Sequence, residues 1–292
     1  MIERQLGRTR RRATRFDLGS GRLAALHNGL LEQAPAETVL LVPGFTGSKE
    51  DFTPLLRPLA TAGYRAVAID QRGQYQSQWA ESAAGYQLQA LATDLVELAG
   101  RLSPSGIGLH LVGHSFGGLV GRLAILQAPG LFTDLVLLGS GPAGIQGDRR
   151  ERLDLGARVL AEHGMAGLWE AMQLQAQADP RYVRLAPVLS AFLRERFLAT
   201  DPVGLRVMGE ALRDEPDRSE QLAALGKRIL VLHGIDDDAW PGPVQAEMAT
   251  RLAADYQVIE AAAHSPAVEN PQATVAALVE FWQSSTARSE PD

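Results

Sequence analysis

Short apolar runs bounded by glycine and proline alternate along this chain with longer stretches in which apolar residues recur every three or four positions. The first pattern predicts buried strands and the second predicts amphipathic helices. Thr14–Leu18 and Arg22–His27 flank Gly19-Ser20-Gly21, which predicts a hairpin opening a sheet. Thr38–Val42 predicts a buried strand stopped by Pro43-Gly44. Asp51–Ala62 follows as a helix with Phe52, Leu55, Leu56 and Leu59 on one face, its Pro54 suited to a first turn that needs no N–H donor. Tyr64–Asp70 predicts another strand, Gln74–Gly85 a polar loop and Leu88–Leu102 a helix. A strand over Leu109–Val112, a helix carrying Leu119, Val120, Leu123, Ala124 and Leu126, and a strand over Leu135–Leu138 complete the first half. Strands alternating with helices imply an α/β fold with a mostly parallel central sheet and helices on both faces.

Beyond Gly139-Ser140-Gly141-Pro142 the pattern changes. Residues 148–225 show no strand pattern and predict four helices, Arg149–His163, Met165–Ala178, Tyr182–Ala199 and Val203–Arg213, punctuated by Asp179-Pro180, Asp201-Pro202 and Glu215-Pro216. Strands return at Arg228–His233 and Tyr256–Glu260, separated by a helix over Gly242–Leu252, and Pro271–Trp282 closes the chain as a helix. So long a break in alternation is unusual within one layered domain. The expected organisation is a core of residues 1–142 plus 226–292, with residues 143–225 inserted between two core strands as a helical cap.

Composition narrows the function classes. A length of 292 residues, 46% hydrophobic and 21% charged, suits a globular domain with a large core. The formal net charge of -6 gives no basis for a nucleic-acid partner. The absence of cysteine excludes disulfides, thiolate metal sites and a cysteine nucleophile. No apolar run approaches the roughly 18 residues that a membrane span needs. Arg4, Arg8, Arg10, Arg11, Arg12 and Arg15 form a basic arm without a following apolar run, so it is expected to be a solvated terminus and not a secretory leader. The expected location is cytoplasmic.

The chemistry centres on Gly113-His114-Ser115-Phe116-Gly117, a G-x-S-x-G motif with a strand before it and a helix after it. A sharp strand-to-helix turn lifts the Ser115 hydroxyl clear of the backbone, and the two glycines remove side chains that would collide across the turn. A serine nucleophile needs a base, and the base needs an orienting acid. His264 follows the last strand, which places it on the same sheet edge as Ser115, where open α/β sheets carry their ligands. His110 lies within a strand, His27 in the hairpin and His163 in the helical insert; His233 ends a strand, and His114 is expected to point away from the site. The acid belongs on the loop after the preceding strand, where Asp236, Asp237 and Asp238 are adjacent; one faces the base and the others meet solvent or cap the next helix. Two convergent N–H donors would hold an oxyanion. Phe116, next after the nucleophile, supplies one and Phe45, behind Gly44, the other.

Together Pro43-Gly44-Phe45, Asp70-Gln71-Arg72-Gly73, Gly113-His114-Ser115-Phe116-Gly117-Gly118, Gly234-x-x-Asp237-x-x-x-Pro241 and His264-Ser265-Pro266 resemble the α/β-hydrolase superfamily. The likeness is to its helically capped branch of carboxylesterases, lactonases, C–C bond hydrolases and cofactor-free haloperoxidases. It spans Thr14 to Trp282, with the motifs in the family's order. The family spacing selects Asp237 as the acid. Serine at position 115 sets the chain apart from epoxide hydrolases and dehalogenases, which resemble this fold but carry aspartate there. Pro43 stands where the family often has histidine, and Gln71 and Gln74 lie in a turn that is often Arg-Gly-x-Gly-x-Ser. The resemblance implies a serine hydrolase that cleaves an ester or related acyl bond through Ser115, His264 and Asp237, without metal or cofactor, and the apolar residues of the insert imply a small, fairly hydrophobic substrate. Trp169, Met172 and Phe192 of the insert are expected to line its pocket. C–C bond hydrolysis, acyl transfer by the same three residues, or a non-catalytic small-molecule receptor are the alternatives.

Overall fold

Eight strands form one sheet in the order β1-β2-β4-β3-β5-β6-β7-β8 in the computed structural model, which describes residues 12–29, 37–103, 109–178 and 183–286. The strands are β1 Arg12–Leu18, β2 Gly21–His27, β3 Thr38–Val42, β4 Arg65–Ile69, β5 Leu109–His114, β6 Asp134–Leu138, β7 Arg228–Gly234 and β8 Asp255–Ile259. The hairpin β1–β2 joins antiparallel to β4, and every pairing from β4 through β8 is parallel. All five of the consecutive strands β3, β5, β6, β7 and β8 therefore release their chains at one edge. Arg4, Arg8, Arg10 and Arg11 of the basic arm lie outside the described residues, as does Tyr182 at the predicted start of the third insert helix.

Side-chain alternation explains why the strands are apolar on both faces. Leu40, Leu111, Leu135, Leu137 and Val231 face helices Leu88–Leu102, Phe116–Gln127 and Gly242–Leu252. Val39, Leu41, Val112, Val136, Leu138 and Leu230 face the other way, toward helices Thr53–Thr61 and Pro271–Thr286. Fully burying each such side chain stabilises the fold by about 1.5–3 kcal/mol. At the opposite edge from the chain releases, His110 on β5 bonds Asp134 on β6 at 2.7 Å and packs in a three-ring cluster with Tyr64 and Trp282. Burial opposes charge on this ring, but its bonds to Asp134 and Glu37 prevail and push its pKa up to about 9.

The predicted absence of strands between β6 and β7 holds among the described residues. A helix runs Gly147–Ala178 and breaks at Gly164, whose φ of 65° and ψ of -169° are non-helical, between the two helices expected there. Pro187–Leu198, Pro202–Asp214 and Ser219–Ala223 follow. Leu168, Phe197 and Leu205 make a small apolar cluster of their own. Met208, Leu212 and Leu222 instead join the sheet's core, so the later helices are fastened to the sheet layer. The expected polar loop after β4 contains one helical turn, Ala83–Tyr86, because Tyr86 is buried and its hydroxyl is bonded to Asp201. Among the described residues no helix is long and apolar enough to cross a membrane.

Candidate active site

Ser115 stands between β5 and its helix at φ 53° and ψ -119°, a region that side chains other than glycine rarely adopt. Its N–H donates to Leu138 on β6 at 2.9 Å, which ties the turn to the sheet. Side chains at the flanking glycines would not fit. A Cβ on Gly117 would strike the Val42 and Pro43 carbonyls, and one on Gly113 would strike the Gly117 carbonyl. The strain at Ser115 is thus held by its bond to β6 and by the close backbone packing at Gly113 and Gly117.

His264, after β8, reaches Ser115 Oγ with its Nε2 at 3.0 Å and Asp237 Oδ1 with its Nδ1 at 3.0 Å. Because a carboxylate only accepts, Nδ1 carries the hydrogen and donates it, leaving the Nε2 lone pair to accept from the serine hydroxyl. Asp237 Oδ1 also accepts from the Ala239 N–H at 2.9 Å, and Oδ2 accepts from the Gln245 amide at 3.0 Å. Burial alone would raise the Asp237 pKa, but the bonds from His264, Ala239 and Gln245 outweigh it and hold the carboxyl below its ordinary value. Asp238 and Asp236 are exposed. Asp238 pairs with Arg149 and neither caps the helix Gly242–Leu252, whose cap is Pro241.

His114 differs from its expected place. Its Nε2 donates to the backbone carbonyl of His264 at 2.8 Å, and the two rings lie 5.1 Å apart. Burial and the neighbouring His264 hold the His114 pKa down to about 4, so the ring is neutral at pH 7. This contact was hidden in the sequence because it joins the elbow to a loop 150 positions away.

The Pro43-Gly44-Phe45 run faces the elbow. A Cβ on Gly44 would lie 3.2 Å from His114 Nδ1 and 3.3 Å from Ser115 Cβ, tighter than ordinary contact, so a side chain here would press on the elbow. The Phe45 ring meets Phe116 edge-on, with centroids 6.3 Å apart. Phe116 opens its helix, so its N–H has no intrahelical acceptor. From behind, Gln71 Nε2 donates to the Pro43 carbonyl at 2.9 Å, and Gln74 Nε2 donates to Gly44 at 2.8 Å and Phe45 at 3.1 Å.

Residues 39–278 match the profile of the alpha/beta hydrolase family. The chain belongs to the alpha/beta hydrolase family. Among similar proteins is one named as a candidate carbamate hydrolase (RutD) from Pantoea ananatis, 29% identical over 86% of this chain and 90% of its own length. A Variovorax paradoxus protein of the same name is 38% identical, over 39% of this chain and 42% of its own length. The pimeloyl-[acyl-carrier protein] methyl ester esterase of Photobacterium profundum is 28% identical over 77% of this chain and 87% of its own length. The crystal structure of an enol-lactonase from Burkholderia xenovorans LB400 superposes with a TM-score of 0.78 at 22% identity, covering 92% of this chain and all of that one.

In this alpha/beta hydrolase the three insert residues expected at the pocket separate. Trp169 packs on Phe197, centroids 5.6 Å apart, and with Met172 borders the small cluster around Leu168. Phe192 lines a pocket of about 190 Å³ with Glu50, Asp51, Leu189, Arg196 and Val268, and its ring meets Tyr75 at 6.0 Å. Val268 lies four residues past His264, which places that pocket beside the hydrolase's histidine loop. Among the described residues no group of three or more acidic or histidine side chains is placed to hold a metal ion.

Proposed function

We propose that this hydrolase cleaves an ester or closely related acyl bond through Ser115, His264 and Asp237. The observation that carries the reading is the continuous hydrogen-bond chain from Ser115 Oγ through the His264 ring to Asp237. Ser115 Oγ attacks the substrate's carbonyl carbon while its proton passes to His264 Nε2. The carbonyl π pair moves onto oxygen, where the Phe45 and Phe116 N–H groups receive it. Asp237 holds the imidazole in its tautomer and stabilises the imidazolium. The intermediate then collapses, and the leaving alkoxide takes the proton from His264. Water attacks the acyl-serine in the same way, giving its proton to His264, which returns it to Ser115 Oγ as the acid departs.

The helices between β6 and β7 act in this reading as a cap over a small, fairly hydrophobic substrate, with Phe192 at the pocket wall and Trp169 and Met172 bracing its helix through the Leu168–Phe197 cluster. The naming of similar proteins as a candidate carbamate hydrolase and a methyl ester esterase supports carbonyl chemistry of this type.

Pre-steady-state kinetics with a chromogenic short-chain ester tests the reading. A stoichiometric burst, lost with Ser115→Ala together with a rate loss of roughly 10⁴-fold or more, is expected because the three residues act as a unit. Unchanged turnover in Ser115→Ala overturns it.

A further inference from the structure

Three successive backbone carbonyls, those of Pro43, Gly44 and Phe45, each accept a hydrogen bond from a glutamine amide. Gln74 makes two of these bonds and is fully buried, and Gln71 makes the third from an almost fully buried position. Every polar atom of Gln74 is engaged. Its Oε1 accepts from the Gln71 N–H at 3.0 Å, its own N–H donates to the Gln71 carbonyl at 2.9 Å, and its carbonyl accepts from the Ser77 N–H at 2.9 Å. The side chain therefore has one rotamer and its amide one orientation.

A trans peptide points its N–H opposite to its C=O, and no peptide bond among the described residues is cis. The carbonyl that Gln74 holds at 2.8 Å is that of Gly44, in the same peptide plane as the Phe45 N–H. That oxygen also accepts from the Gly47 N–H at 3.1 Å, and the two bonds together turn the Phe45 N–H to the opposite face, with Gln74 the side-chain contributor. A Cβ placed on the glycine of this plane would lie 3.3 Å from Ser115 Cβ, so the plane runs beside the nucleophile. A hydrogen bond accepted at the carbonyl also polarises the amide and strengthens its N–H as a donor. We propose that Gln74 is a positioning residue for catalysis, setting and strengthening the Phe45 N–H that receives the oxyanion. This rests on the acyl-transfer reading and on Phe45 as a donor in it.

A glutamine that only satisfied loop carbonyls would alter stability and leave transition-state binding alone. Gln74→Met keeps length and apolar volume and removes both donors. With an ester substrate it is expected to change KM by less than about twofold and to lower kcat roughly 10- to 100-fold, less than the loss of a donor outright. Affinity for an aryl boronic acid, whose tetrahedral adduct on Ser115 puts an oxygen where the oxyanion forms, falls in parallel. Gln74→His, which restores an N–H donor, recovers most of both. Should Gln74→Met not fold, Gln74→Glu, which keeps the acceptor for the Gln71 N–H, is assayed at neutral pH for the same outcomes. Wild-type kcat and boronate affinity in the folded variant, with Ser115 still labelled by a fluorophosphonate, overturn the inference alone. Failure of Ser115 to label in the unsubstituted protein removes the acyl-transfer reading and this inference with it.

Discussion

Arg149 closes an ion pair on Asp238, with its Nε 3.2 Å from Oδ2. The pair ties the start of the helical segment to the loop after β7, one residue beyond the carboxylate that holds His264. Adjacent aspartates thus have separate duties, one facing the partly exposed His264 ring and one the half-exposed surface.

Their variants should separate accordingly. Asp237→Asn is expected to lower kcat by roughly 10³- to 10⁴-fold, since an amide at this position favours the wrong imidazole tautomer. Asp238→Asn and Asp236→Asn should stay within about threefold of wild type. For Asp238 the stability loss should be no more than about 1 kcal/mol, the usual scale of a partly exposed ion pair. Steady-state kinetics and denaturant titration of the three variants check this, and a crippled Asp236 or Asp238 variant contradicts the assignment.

Glycines of this chain are expected to respond oppositely to one methyl group. Gly117→Ala drives a Cβ into the Val42 and Pro43 carbonyls and should cost about 3 kcal/mol or more, because backbone cannot step aside as a side chain can. Gly100, in the helix Leu88–Leu102, has open space around its missing Cβ. Gly100→Ala should stabilise by about 0.5–1 kcal/mol through helix propensity. Urea midpoints of the two variants decide both.

Stability should fall as the medium becomes alkaline. His110 has a folded pKa raised to about 9, above its ordinary 6.5. Its contribution is therefore fully present below pH 6.5 and is lost as the pH rises through 9. The span corresponds to up to about 3 kcal/mol. Unfolding free energies measured across that window should decline in the wild type and lose this component in His110→Asn. Identical slopes in the two proteins would contradict it.

Phe192→Ala and Trp169→Ala address the helical segment. If these helices shape the pocket, Phe192→Ala should change the kcat/KM ratio between a bulky and a small ester by about tenfold, equivalent to 1–3 kcal/mol of contact, and Trp169→Ala, which acts through Phe197, should change it by less. A stability loss with every substrate ratio unchanged would make the segment scaffold alone.

The sheet and its helices were legible because strand and helix periods differ, and an apolar run as clean as Val39-Leu40-Leu41-Val42 leaves little choice. Ser115 and His264 were legible because parallel strands send their following loops to one edge. The residues alone left three aspartates open. What singles out Asp237 is Gln245, eight positions on, and a loop geometry that turns only this side chain inward. Gln71 and Gln74 stood out only as departures from a familiar turn, since their acceptors lie 28 to 30 residues earlier on another strand's end. His114 was misplaced for the same reason: a ring's partner is set by folding, and no local period encodes it.

The parallel sheet gives the molecule two unlike rims. One rim gathers Asp237 and His264 on loops that follow their strands and Ser115 on the tight turn between β5 and its helix. The other carries the His110–Asp134 pair inside the strands themselves, where a change disturbs the ladder directly. Sequence drift at the first rim, outside its close-packed glycines, is therefore expected to alter the surroundings of Ser115 at little cost in stability, and drift at the second to spend stability without reaching the Ser115 rim.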